Sequence, residues 1–235
     1  MQDIPTESNK GPILTDVPVF PLPNVVLLPR TILPLHIFEQ RYRIMIEEAL
    51  AGQRMVAMAM LKPGFEPFYH TANAEIRPVV GFGRILREER LADGRFNILL
   101  QGLGRGRITE ETCKAPYRKA TLETLSPCSS SYEFVYRHEL LHLVSQSGVA
   151  QWSGKGGWLT LFNRADLSFS DLVDVVASSV LAEPSEKQSF LEEVDVCRRA
   201  KRICAKLSVM ANNSLLSTGP GEKPARVWPP ASIPN

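Results

Sequence analysis

His138-Glu139-Leu140-Leu141-His142 matches a known piece of metal chemistry in residue type and spacing. On a helix, imidazoles at i and i+4 stand one turn apart on one face. They can share a Zn²⁺, with the intervening glutamate as general base. Catalytic zinc also needs a third protein ligand. The extended pattern that supplies one fails here, because Ser145 stands at its glycine position and Gly148 at its third histidine. His36 and His70 lie far upstream, and no further pattern marks Glu183, Glu186, Glu192 or Glu193 as a ligand. An exposed His pair on an amphipathic helix accounts for the same letters. The expectation is therefore no metal ligand and no cofactor, with adventitious metal binding or a zinc hydrolase as the competing readings.

Other chemistries fare worse. Gly148 to Gly156 (GVAQWSGKG) has one residue too many between its glycines for a phosphate-binding loop, and Gly156 replaces the hydroxyl residue that would hold Mg²⁺. Gly102-x-Gly104-x-Gly106 lacks the dinucleotide spacing and leads into more strand. The scattered histidines give no orderable Ser-His-Asp or Cys-His arrangement. Glu88-Glu89, next to Arg87 and Arg90, reads as a solvated charged face. No catalytic residue is assigned.

The elements that would carry these residues change character along the chain. There are 235 residues, 44% hydrophobic and 22% charged, with a net charge of +2. That is the profile of an ordinary globular protein, without the strong basic excess of a dedicated nucleic-acid binder. No apolar run is long enough to cross a membrane as a helix. The polar start, Met1 to Thr15, has no apolar stretch, so no secretory signal is expected there. Four cysteines without CxxC spacing suit reduced thiols, so a cytoplasmic location is expected. Residues 1–16 read as a flexible leader, and 215–235 as a Pro-rich tail in which Trp228 is the odd aromatic.

Between the tails, 17–126 reads as strand-rich. Val17–Leu28 is apolar but broken by Pro18, Pro21 and Pro23, which suits an edge strand or an extended lead-in. Arg41–Leu50 has helical spacing and Gly52 stops it. Met55–Leu61 and Tyr117–Leu125 read as strands. Val79–Leu91 and Arg95–Ile108 form a hairpin on Asp93-Gly94, the two positive-φ positions of a type I′ turn. From 127 to 214 the period becomes helical. Helices are expected at Tyr132–Ser145, at Asp171–Leu181 with Ser170 as N-cap, and from Pro184 to about Met210. The last carries a stripe of Phe190, Val194, Cys197, Ile203 and Leu207. The class is α+β.

Three ordered blocks resemble the Lon protease N-terminal (substrate-binding) domain, especially proteins that carry that domain alone. The first is Val17–Tyr42, through Phe20-Pro21-Leu22, Leu28-Pro29, Leu33-Pro34-Leu35, Ile37-Phe38-Glu39 and Arg41-Tyr42. The second is Gln101–Ile108, similar to the family's "EGLxRxRI" strand. The third is Glu186-Lys187-Gln188 with Leu191–Val196. The resemblance implies a PUA-like β pseudo-barrel with one inserted helix, followed by a helical bundle. It implies a non-catalytic module that binds polypeptide segments or a partner protein, in protein quality control, without the ATPase and Ser-Lys protease domains. Glu39 and Arg41 are expected to make a salt bridge or cap at the first helix.

The expected substrate-binding residues are Phe65, Phe68 and Tyr69, aromatics on the loop-like Pro63–Ala74, together with Pro34 and Phe38. The loop aromatics either plug the barrel mouth or face a partner. Residues 77–107 hold seven arginines against three acids, which makes RNA binding through this hairpin the alternative function. If the histidine pair is a structural bystander, replacing both His138 and His142 by Ala shifts folding stability by less than roughly 1 kcal/mol, measured by urea unfolding. Stoichiometric zinc that survives dialysis and disappears in that double variant overturns the reading.

Overall fold

The computed structural model describes residues 10–71, 74–113, 116–128, 132–147 and 167–216. The Gly148–Gly156 run and Trp228 lie outside them. The strands are β1 (Lys10–Leu22), β2 (Ile32–Ile37), β3 (Met55–Met60), β4 (Val79–Arg90), β5 (Phe96–Cys113) and β6 (Arg118–Leu125). The α-helices are α1 (Gln40–Ala51), α2 (Glu133–Gln146), α3 (Phe169–Val180), α4 (Pro184–Glu192) and α5 (Val196–Leu216). The expected α+β class is what is seen, strands first apart from α1.

The sheet runs β2-β5-β4-β3-β1-β6, and β6 also pairs with β5. Five strands therefore close into a ring, with β2 added outside it. Closure depends on the length of β5, whose 18 residues let it pair with β2 near its start and with β6 near its end. Bulges at Phe82/Gly83, Ile85/Arg87, Ile108/Glu110 and Glu111/Cys113 supply the bends. Gly102 and Gly81 give way to another segment of chain: a Cβ on Gly102 would overlap the Leu28 carbonyl, and one on Gly81 the Leu27 carbonyl. Leu27 and Leu28 are thereby pressed, fully buried, onto the sheet.

Several expectations are corrected. β1 is not an edge strand, since it pairs with β3 in parallel and with β6 antiparallel. Its prolines are tolerated because each falls where β1 has one neighbour. Pro18 precedes the β3 pairing that starts at Val19, and Pro21 follows the β6 pairing that stops there. The strand starts at Lys10, so the end of the expected leader is part of the sheet. The hairpin loop has three residues, Ala92–Gly94, and of its positions only Gly94 has positive φ, at 81°. Gly94 N–H donates to the Leu91 carbonyl, the three-residue geometry rather than a type I′ turn.

In the helical half the N-cap of α3 is Ser168. Its hydroxyl accepts from Asp171 N–H while the Asp171 carboxylate accepts from Ser168 N–H, each at 3.1 Å. Ser170 is buried instead. The expected long last helix is two helices, because Cys128 pairs with the chain at Val194–Val196 and pulls it out of helical geometry. Asp195 then starts α5, accepting from Arg198 N–H at 2.9 Å. The buried stripe of α5 is Val196, Arg199, Ala200, Ile203, Cys204 and Leu207, with Cys197 and Val194 only half-buried.

The two halves share one core. Leu28 and Val79 from the β half are buried among Val173, Val176, Phe190, Ile203 and Leu207. Gln188 on α4 donates to the Val79 carbonyl at 2.9 Å, and Glu186 pairs with Lys206 on α5. Under the joint, Asp174 on α3 accepts two bonds from Arg105 on β5, at 2.7 and 2.8 Å, and one from Arg199 on α5. All three side chains are buried. Removing one member of a buried ion group leaves its partners charged and dry. Asp174→Ala is expected to cost about 3–5 kcal/mol in urea unfolding. Substituting Arg30, whose bond to Asp171 is largely exposed, is expected to cost less than about 1 kcal/mol.

Candidate functional site

A groove of about 350 Å³ opens where the end of β1, the end of β2, the start of α1 and the turn after β3 converge. Its walls are Phe20, Leu22 and Pro23, then Leu35 to Glu39 and Tyr42, then Glu66, Tyr69 and His70. The alternation of β2 determines who reaches it. Leu35 and Ile37 turn inward, and the strand then delivers Phe38, 62% exposed, to the lip. α1 follows at once and buries Tyr42, Met45, Ile46 and Ala49 at helical spacing. Phe20 and Tyr42 pack with their rings tilted, 4.3 Å between centroids, and form the floor.

Glu39 organises the polar side. It occupies the N-cap of α1, but its side chain makes no cap bond. The carboxylate instead accepts from the Tyr69 hydroxyl at 2.7 Å and pairs with Arg41 at 3.0 Å. His70 Nδ1 lies 3.6 Å away. Arg41 also donates to the Tyr69 carbonyl at 3.1 Å and lies over the Tyr42 and Tyr69 rings, 4.4 and 5.1 Å from their centroids. A turn of chain distant in sequence is thus clamped to the start of α1. The expected Glu39–Arg41 salt bridge is present, and the loop's Tyr69 is part of the packing. Burial pushes the Tyr42 and Tyr69 phenols up, and the bond to Glu39 raises Tyr69 further.

The five residues expected to bind substrate do not come together as one set. Phe38 and Tyr69 line the groove. Phe65 and Phe68 sit on the adjoining 3-10 turn, ring centroids 6.0 Å apart, with Phe68 half exposed and Phe65 partly buried. Pro34 is exposed on β2, away from the groove walls. Phe20, Glu39, Tyr42 and His70 are among the other residues that line the groove. The Glu39–Tyr69 bond has no local signal, since it joins residues 30 apart in a loop and a helix cap.

Among the described residues β2 pairs with β5 alone, and its other edge runs toward this groove. A proline fits a strand only where its nitrogen faces no partner, so Ile32, Pro34 and His36 turn their backbones outward. The Thr31 carbonyl accepting from Gly102 N–H agrees with that alternation. Two N–H groups, of Ile32 and His36, are thus available to an added strand. The open sheet edge therefore lies on β2, not on the Val17–Leu28 stretch that reads as an edge strand.

A second groove, of about 230 Å³, lies between β1 and the end of α1. Tyr117 and Lys119 both bond Glu48 there, which holds the Glu48 carboxyl below its usual range. Burial, with Glu48, pushes the Tyr117 phenol to about 12.

The remaining motifs are placed as follows. His138, Glu139 and His142 are exposed on α2, where Phe134 meets the His138 ring edge-on at 4.6 Å. Among the described residues no three His, Cys, Asp or Glu side chains cluster as a metal site. Glu88 pairs with Arg54, and Glu89 accepts from Asn97. The arginine run is broken up: Arg105 is buried on Asp174, Arg90 pairs with Glu47 and Arg95 with Asp93.

Three phenols held protonated by burial make a testable contribution. In the unfolded chain tyrosine ionises near pH 10. A raised folded value means that this stability is complete below about pH 10 and is lost as pH rises through the folded values. The melting temperature is expected to fall between about pH 10 and 12, and less steeply in Tyr69→Phe. Equal slopes for the two proteins over that range contradict the assignment.

A family model described as the ATP-dependent protease La (LON) substrate-binding domain matches residues 16–208. A Lon protease of Desulfosudis oleivorans is 27% identical over 82% of the chain, and Lon protease 2 of Bdellovibrio bacteriovorus is 27% identical over 86%. The chain spans about a quarter of the length of these relatives, 24% and 26%. Two solved structures share the fold. The N-terminal domain of a Mycobacterium avium complex Lon protease has a TM-score of 0.59 at 19% identity, covering 82% of this chain and 98% of that one. A Lon N-terminal domain protein from Xanthomonas campestris has 0.56 at 18%, with the same coverages.

Proposed function

We propose, because the chain belongs to the ATP-dependent protease La (LON) substrate-binding domain family, that it holds extended polypeptide segments and performs no chemistry on them. The observation that carries this reading is the open apolar groove flanked by the exposed ring of Phe38 and continuous with the unpaired edge of β2. An unfolded segment offers two things a folded protein hides, apolar side chains and free backbone groups. The groove takes the first and the β2 edge the second, which is recognition by strand addition. Pro34 keeps that edge short, so two backbone donors assist the side-chain anchor without inviting chain-to-chain association. Clients are distinguished by where their large apolar residues fall.

On this reading the protein acts in the cytoplasm, in protein quality control. Closure of the β half into a ring supports a PUA-like architecture for it. Phe65 and Phe68, beside the groove, extend the apolar contact along the client.

The test uses a fluorescently labelled, reduced and carboxymethylated protein as an unfolded client. Phe38→Ala and Phe68→Ala are each expected to weaken its binding by about 1–3 kcal/mol, with the melting temperature nearly unchanged, because both rings are exposed. Unchanged affinity in both variants removes the groove from client binding. ATP added to the assay is expected to change neither the affinity nor the length of the client chain.

A further inference from the structure

Beyond the ring, β2, the start of β5 and the end of β4 form a three-stranded flange. Its register sets nine residues in three rows. Ile32 lies opposite Gln101, which lies opposite Arg84; the next rows are Pro34, Leu99, Arg87 and His36, Asn97, Glu89. Residues opposite one another share a face of the sheet. The intervening residues Leu33, Leu35, Ile37, Ile98, Leu100 and Ile85 turn to the other face and pack with α1. None of the nine is buried. Ile32 is 55% exposed, and Leu86, the extra residue of the Ile85/Arg87 bulge, is 48% exposed beside them.

The face divides by chemistry. Ile32, Pro34 and Leu99 make an apolar strip at the edge. The third row is hydrogen-bonded within itself and to Arg95, with His36 Nδ1 2.7 Å from Asn97 Oδ1, His36 Nε2 3.3 Å from Arg95 Nη1, and Asn97 donating to Glu89 at 2.9 Å. Arg84 and Arg87 are different. Both are exposed, and among the described residues neither has an ion-pair partner, while Arg90 and Arg95 on the same hairpin do. Strands are about 4.8 Å apart, so the two guanidinium residues stand one to two strand spacings from the apolar strip.

We propose that this outer face docks an acidic amphipathic polypeptide segment at Ile32, Pro34, Leu99, Arg84 and Arg87, none of which lines the groove. Its apolar side chains cover Ile32, Pro34 and Leu99, and its carboxylates meet Arg84 and Arg87. On a helix, residues three or four apart share one face about 5–6 Å from one another, close to the single strand spacing between Leu99 and Arg87. RNA is the weaker fit. The nine residues include no Phe, Tyr or Trp on which a base could stack, only two unpaired cations, and one carboxylate at the end.

The experiment uses the full chain and a fluorescein-labelled synthetic helical peptide with Leu and Glu three and four residues apart along the same face, read by anisotropy. An all-Glu peptide and poly-uridine RNA are the comparison probes. The Leu/Glu peptide is expected to bind. Arg84→Glu with Arg87→Glu, and separately Ile32→Ser, each weaken it about tenfold or more, the scale of an interface anchor. Phe38→Ala leaves this binding unchanged, so failure here and failure of the groove are told apart. Thermal melts show that the variants fold, and Arg84→Gln with Arg87→Gln replaces the charge reversal if it does not. No binding of the peptide, or equal affinity in the arginine and Ile32 variants, overturns the proposal. So does a loss on arginine replacement that Ile32→Ser does not share, which means charge alone. Arginine-dependent binding of poly-uridine in place of the peptide assigns the face to nucleic acid and overturns it as well.

Discussion

One carboxylate between two guanidinium groups ties this molecule together. Asp174 has left water and accepts from Arg105 and Arg199, and Arg199 also donates to Ser170 at 2.8 Å. Arg105 reaches further, to the Glu193 carbonyl at the break between α4 and α5. β5, α3, α5 and the α4–α5 corner therefore meet at one point. Charged groups tolerate such burial only with good geometry on every side. A helical half that slid by one turn across the ring would leave three charges dry and unpaired. Apolar packing alone, between Val79, Leu28 and the helices, is less particular about register.

That junction also explains what a reader of the sequence could and could not see. Each block that carries the family resemblance supplies residues to the helical half or its joint with the ring. Gly102 admits the Leu28 backbone, Arg105 enters the ion triad, Gln188 reaches the Val79 carbonyl and Glu186 reaches Lys206. The hairpin at Asp93-Gly94 and the stop of α1 at Gly52 were legible because each depends on neighbouring residues. The break before α5 was not, because Cys128, far back in the chain, makes it. β1 was misread as an edge because prolines reveal that a donor is missing, not on which side a neighbour is missing.

The groove was legible only in part, for a related reason. Phe38 and Tyr69 stand out by type, but what joins them is Glu39 turning from its expected role at a helix start toward a tyrosine in another segment. Side chains that meet through tertiary structure leave no periodicity. The arginine run shows the converse. Counted along the chain, seven cations look like one surface. In space Arg105 is in the core, Arg90 and Arg95 are held in ion pairs, and Arg84 and Arg87 face outward from a single sheet face. Strand alternation, more than charge density, decides what a partner encounters.

The closure of the ring has a temporal side. β1 is hydrogen-bonded to β3 along one edge and to β6 along the other, with Lys10 opposite Leu125. On a ribosome adding about 5–20 residues per second, the first strand emerges several seconds before its second neighbour exists. Until then an apolar strand waits with one edge open. Pro21 removes a donor from that edge during the wait, and Pro18 removes one from the opposite edge, which β3 fills. A proline that shapes the finished ring thus guards the nascent chain against pairing with the wrong strand.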